Sequence, residues 1–223
     1  MERNSGILLH PTSLPDTPIC GTFGSPARVW LNDLAKCGIG VWQFLPLAPP
    51  DPLGSPYSSP SSFAFNPWFL DENDLVRDGF LPSNLENFHS KTEIFDSRVD
   101  SDLANSKVKN LGFSLVDFWD KQNANIKEEF EIWCKRQFWL DDHSIFMELK
   151  IQNNDLPWWK WPEKYALRDK KELENWKKNN QRELLGHNLL QWHLDRQWKS
   201  IRKLANNLGI YLFGDVPFYV SKD

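Results

Sequence analysis

Apolar residues fall in short runs and helical stripes that predict an α/β chain. Residues 6–10 read Gly-Ile-Leu-Leu-His and stop at Pro11, a pattern of a buried strand more than of a helix. A turn-rich stretch follows through Pro15, Pro18, Gly21 and Gly24. Ser25-Pro26 then suits a helix start, with Ser as cap and Pro at the first helical position. Trp30, Leu31, Leu34 and Ala35 recur at helical spacing, and Gly38 supplies the stop. Val41-Trp42-Gln43-Phe44-Leu45 is a second apolar run, ended by Pro46. Strand, helix and strand in that order make a βαβ unit, which implies a parallel pair.

Residues 49–67 are dense in Pro and Ser and predict a long loop after the second strand. The pattern from Leu70 to about Arg98 is short and mixed, with turns at Asp78-Gly79 and Pro82. From Ser114 to Lys150 no proline intervenes, and Leu115, Phe118, Trp119, Ile126, Phe130, Trp133 and Phe138 recur at helical intervals. Residues 156–162 form an aromatic loop between Pro157 and Pro162. A helix is expected from about Arg182 to Leu208, where Leu190, Leu194, Trp198, Ile201, Ala205 and Leu208 share one face. Ile210-Tyr211-Leu212-Phe213 then reads as a third buried strand, followed by Gly214-Asp215-Val216-Pro217. One crossover helix needs far less chain than residues 46–209, so a large, mainly helical subdomain is inserted before the third strand. Three such strands make part of a sheet or barrel, not a closed one.

Composition sharpens the division. Twelve of the 15 prolines lie in the first 82 residues, and nine of the 12 tryptophans lie between Trp119 and Trp198. Forty per cent hydrophobic and 25% charged residues describe a globular chain rather than a disordered one. No apolar run is long enough to span a bilayer, and no secretory signal opens the chain, so a cytoplasmic location and no membrane partner are expected. A net charge of −4 argues against nucleic acid as a partner. Cys20, Cys37 and Cys134 form no CxxC pair, which fits a reducing compartment and excludes a disulfide scaffold or zinc ribbon.

In parallel α/β proteins ligands bind beyond the carboxyl ends of the strands. His10, the Pro/Ser loop and Asp215 would therefore gather on one face. The segment from Gly54 to Ser59 offers a tyrosine ring and several hydroxyls, suited to a sugar platform or simply to a packed loop. Asp215 could bind a substrate hydroxyl or accept backbone N–H groups in a turn. Trp158, Trp159 and Trp161 could stack on sugars or form the core of a small helical unit. His187 and His193 are six residues apart, and Asp141-Asp142-His143 diverge on a helix, so neither set reads as a metal site. The 12 basic residues from Lys160 to Lys203 interleave with an apolar stripe and read as a solvated face. No GxGxxG, P-loop or G-x-S-x-G sequence points to a dinucleotide, nucleotide or serine-hydrolase site.

Several motifs, in one order, resemble the 4-α-glucanotransferases, or amylomaltases, of the α-amylase superfamily. They are residues 6–15 (GILLHPTSLP), residues 41–47 (VWQFLPL), Gly54-Ser55-Pro56-Tyr57, Phe63-Ala64, Asn66-Pro67, and residues 157–162 (PWWKWP). Gln191-Trp192, Arg196-Gln197-Trp198 and residues 214–220 (GDVPFYV) complete the set. The likeness covers nearly the whole chain and is weakest between residues 83 and 145. Gly54 stands where the family often has Asp or Asn, Phe65 where it usually has Gly, and residues 21–24 lack an Asp often seen there.

The resemblance implies the first strands of a (β/α)8 TIM barrel. Residues 1–69 would hold the opening strands and the long active-site loop, 70–205 the helical insertion plus a barrel helix, and 206–223 the next strand. It also implies transfer of α-1,4-glucan segments between maltooligosaccharides by a retaining double displacement, without a cofactor or metal. The family's catalytic carboxylates lie beyond the Gly-Asp-x-Pro motif, so none is expected in this chain, which reads as an N-terminal substrate-binding portion, inactive in isolation. Tyr57 and Asp215, and more weakly Ser55, match substrate-binding residues. An α-glucan hydrolase of the same superfamily, or a non-catalytic glucan-binding protein, is the alternative. The sequence carries no signal for oligomeric state.

Overall fold

A computed structural model describes residues 3–15, 19–83, 99–217 and 222. Three parallel strands form one sheet in the order β1 (Gly6–Leu8), β2 (Val41–Gln43), β3 (Tyr211–Phe213). Gly6, Val41 and Tyr211 stand side by side, as do Leu8, Gln43 and Phe213. The strands are shorter than the apolar runs that announce them. Pairing fades in the turns that follow, although Leu9 N–H still donates to Gln43 O (2.9 Å) and Phe44 N–H to Phe213 O (3.0 Å).

Between β1 and β2 lies α1 (Ser25–Lys36). Gly24, not Ser25, is its cap residue, and no side chain caps it. A Cβ at Gly24 would sit 2.1 Å from the Asp71 carboxylate, so close approach of the Asp71 segment accounts for the glycine. The long connection to β3 carries α2 (Glu72–Arg77), α3 (Ser101–Trp119), α4 (Ala124–Arg136), α5 (Leu140–Gln152), α6 (Glu163–Ala166), α7 (Lys170–Asn179) and α8 (Gln181–Asn207). The continuous helical pattern from Ser114 to Lys150 is therefore three helices. Breaks fall where Asn123 accepts from Ile126 N–H as an N-cap and where Gln137 ends α4. Capping groups override an apolar periodicity that runs on through them. Most of the mixed pattern from Leu70 to Arg98 lies outside the described residues, but its start forms α2, capped by Asp71 through Asp74 N–H.

The sheet has two unlike faces. Trp42 is fully buried and joins a core that includes Ala27, Leu31 and Leu34 of α1 and Leu194, Ile201 and Ala205 of α8. The other face exposes Leu8, Tyr211 and Phe213, and Ile7 on the covered face is also exposed, so β1 and β3, at the two edges of the sheet, are not the buried strands expected. Both crossover helices thus cover the same face and contact each other. The same core continues through Leu111, Leu115, Phe130 and Trp192 into α3 and α4. This explains why α8 is buried beyond its predicted stripe: Trp119 of α3 and Phe130 of α4 cover Trp192, and Phe80 covers His193, on another side. A second, smaller core joins Ile145, Leu149, Trp161, Leu173, Trp176 and Leu184. No helix of the described residues is long and apolar enough to cross a membrane.

Candidate functional site

The loops after β2 and β3 meet at the carboxyl end of the sheet. Tyr57 Oη donates to Asp215 Oδ2 at 2.6 Å, joining residues 158 positions apart. The bond to the carboxylate raises the phenol pKa above its ordinary value, with small contributions from burial and the nearby negative charge. Tyr57 therefore remains a donor at neutral pH, and its bond occupies one carboxylate oxygen of Asp215. Asp215 is exposed and Tyr57 partly so.

The tyrosine is placed by local chemistry. Asp51 folds the loop on itself: its Oδ1 accepts from Leu53 N–H (2.9 Å) and Ser55 N–H (2.8 Å). Its carbonyl accepts from Gly54 N–H at 2.9 Å, and its own N–H donates to Ser55 O at 3.0 Å. Gly54 adopts φ +85° at this turn, a conformation that glycine takes without steric cost. Ser55 Oγ then accepts from Tyr57 N–H (3.3 Å) and caps the 3-10 turn Pro56–Ser58. Ser55 thus positions Tyr57 through its backbone.

Farther along, α8 holds the chain. Gln191 accepts from Phe65 N–H and donates to Phe65 O, both at 2.9 Å. Gln197 does the same with Asp71 N–H and O, both at 2.9 Å. Both glutamines are buried. Each side-chain amide replaces one strand partner, satisfying a donor and an acceptor that would otherwise be buried alone. Asp71 also accepts from Thr22 Oγ1 at 2.6 Å, tying the segment to the loop after β1. Phe65, where a glycine is usual, packs its ring near Phe23 (6.1 Å) and Trp198 (6.3 Å).

Of the other candidates, His10 lies at the end of β1 with its ring edge-on to Phe69 at 5.5 Å. Burial lowers its pKa to about 4, and its buried Nδ1 has no partner. It is a partly buried ring packed on Phe69, and the Tyr57–Asp215 pair forms without it. Trp161 is buried in the second core, its Nε1 donating to Leu156 O at 2.7 Å. Trp158 and Trp159 are half-exposed and meet edge to face at 5.7 Å. His187 pairs with Glu148 at 3.1 Å, and the described residues contain no group of three His, Cys, Asp or Glu able to hold a metal.

The sequence named Tyr57, Asp215 and Ser55, and carried Gln191 and Gln197 only as resemblance motifs, without their role of holding the chain at Phe65 and Asp71. Gln191 and Gln197 stand six apart, as do Phe65 and Asp71. Two amides on the buried side of an amphipathic helix were the available signal, because a buried amide must find partners.

A family model described as 4-alpha-glucanotransferase matches residues 9–223. The 4-alpha-glucanotransferase of Synechocystis sp. is 37% identical over the whole of this chain and 44% of its own length. That of Thermus thermophilus is 35% identical, with the same two coverages. Among solved structures, the amylomaltase from Streptococcus agalactiae in complex with acarbose superposes with a TM-score of 0.88 at 28% identity. That match covers all of this chain and 45% of the amylomaltase. The chain spans less than half the length of these relatives. With the family model matching almost every residue and the fold shared over the full chain, this chain belongs to the 4-alpha-glucanotransferase family.

Proposed function

We propose that these residues form the sugar-binding part of a 4-α-glucanotransferase, acting on α-1,4-glucans by retaining double displacement. Tyr57 and Asp215 would bind one glucose unit of the substrate, with Ser55 holding Tyr57 in place. The proposal gives these residues binding and positioning roles and gives none of them the nucleophile or acid/base. The observation that carries it is the bond between Tyr57 and Asp215 at the strand ends. It leaves a flat ring and a free carboxylate oxygen facing solvent, a combination that suits the apolar face and hydroxyls of a hexose. No cofactor is required for this role.

The same proposal makes the sheet the opening of a (β/α)8 barrel, with residues 1–69, 70–205 and 206–223 dividing as strands and loop, helical insertion with a barrel helix, and next strand. It is supported by both crossovers lying on one face of the sheet, with Leu8, Tyr211 and Phe213 exposed on the other. A doubly wound sheet would carry helices on both faces; the inner wall of a barrel carries none.

The test is a pair of substitutions in the full-length polypeptide that contains this chain. Asp215→Asn should lower kcat/KM on maltotriose by roughly a hundredfold or more, and Tyr57→Phe by about tenfold, consistent with loss of one or two polar contacts. Neither should shift the melting temperature appreciably, because both side chains reach solvent. Full activity in either variant would remove that residue from the site.

A further inference from the structure

We propose that Phe63, Phe138 and Trp139 form an aromatic shelf that binds glucose units of a longer α-1,4-glucan beyond those held at Tyr57 and Asp215. The proposal rests on reading that pair as a glucan site. Phe63 and Phe138 are 57% and 79% exposed, yet their rings meet edge to face at 5.0 Å. Phe63 also lies nearly parallel to Trp139, 13° apart at 6.4 Å. Exposed aromatic side chains that hold one another in fixed orientations present flat apolar faces without the entropy cost of ordering on binding.

The shelf lies within chain reach of the candidate site. Phe63 follows Tyr57 by six residues in the same loop, a reach of at most about 20 Å. Its backbone is fixed: Ser61 Oγ accepts from Phe63 N–H (3.2 Å) and Ala64 N–H (3.1 Å), and Ser59 Oγ donates to Ser61 O (2.8 Å). Phe138 and Trp139 come from the turn between α4 and α5. The insertion thereby supplies two rings and the active-site loop one.

The chemistry favours a carbohydrate. His143 lies edge-on to Trp139 at 5.6 Å, and burial with the neighbouring His187 lowers its pKa to about 3. The shelf is therefore backed by a neutral ring at working pH. The nearest charges on α5 are engaged: Asp141 pairs with Lys177 and Asp142 with Arg168. A protein partner of ordinary stability needs roughly 800 Å² on each side, far more than three rings present. The C–H faces of successive glucose units match flat rings of this size, with their hydroxyls left in water.

Calorimetric titration of the full-length polypeptide with maltoheptaose and with maltotriose tests the shelf. Phe138→Ala is the primary variant because its side chain is the most exposed of the three. It should weaken maltoheptaose binding about eightfold, the effect of uncovering some 50 Å² of apolar surface, and leave maltotriose binding and the melting temperature unchanged. Phe63→Leu, which keeps an apolar side chain but removes the flat ring, should show the same selective loss. An unchanged ratio of the two affinities in both variants overturns the shelf. Tyr57→Phe and Asp215→Asn should weaken both sugars alike. If they leave maltotriose binding intact, the reading of that pair fails, while the chain-length ratio in Phe138→Ala still decides the shelf.

Discussion

Two irregular segments of this chain look alike in sequence and do opposite things. Residues 49–67 and 156–162 are both rich in proline and aromatic residues. In the second, backbone bonds are local, with Lys160 N–H to Pro157 O at 2.8 Å and Trp161 N–H to Trp158 O at 3.1 Å. Its central side chain, Trp161, turns inward against Phe146 (5.4 Å) and closes a small core. In the first, local turns set by Asp51 and Ser55 point Tyr57 outward, while a buried glutamine 126 residues away fixes the backbone at Phe65. A segment held from behind by remote side chains can leave its own side chains free for a ligand. The second segment instead commits Trp161 to the core that it closes.

The largest effect that would test this contrast is Trp161→Ala. Truncating a buried tryptophan costs about 3–5 kcal/mol, so the melting temperature should fall steeply. The Tyr57–Asp215 bond should persist, seen as unchanged maltotriose affinity below the melting transition. Loss of affinity at temperatures where the variant is still folded would break the separation between the two segments.

Gln191→Leu should cost somewhat less, about 2–4 kcal/mol, because it leaves one buried donor and one buried acceptor at Phe65 without partners. Unlike Trp161→Ala, it should also weaken sugar binding and speed hydrogen exchange at the Phe65 amide. Stability loss without either of those changes would make Gln191 an ordinary core residue. The smallest effect is expected for Ser55→Ala. Removing one long capping bond should cost no more than about 1 kcal/mol. Its signature is a modest fall in kcat/KM in the direction of Tyr57→Phe, and a fall as large as that of Asp215→Asn would give Ser55 direct contact with the sugar.

Much of the scaffold was legible because it is written in local chemistry. Pro11 and Pro46 ended the apolar runs, and Gly38, at φ +70°, ended α1. The helix expected from about Arg182 to Leu208, on the stripe that begins at Leu190, matches α8 to within a residue at each end. The merged helices between Ser114 and Lys150 show the limit of periodicity. An apolar face can continue through a turn when successive helices pack on the same core, and the capping side chain of Asn123 marks only the first of the two breaks.

The sequence by itself determined that three short strands alternate with helices, that a long Pro/Ser loop follows the second strand, and which motifs carry the family resemblance. Those features depend on side-chain periodicity and on φ restrictions, which act over a few residues. Only the tertiary structure decided that Tyr57 donates to Asp215, that Gln191 and Gln197 fasten the loop to α8, and that Phe63 meets Phe138 and Trp139. Each of these joins residues far apart in the chain, and their pairing follows from which buried polar groups and exposed rings the packed elements bring face to face.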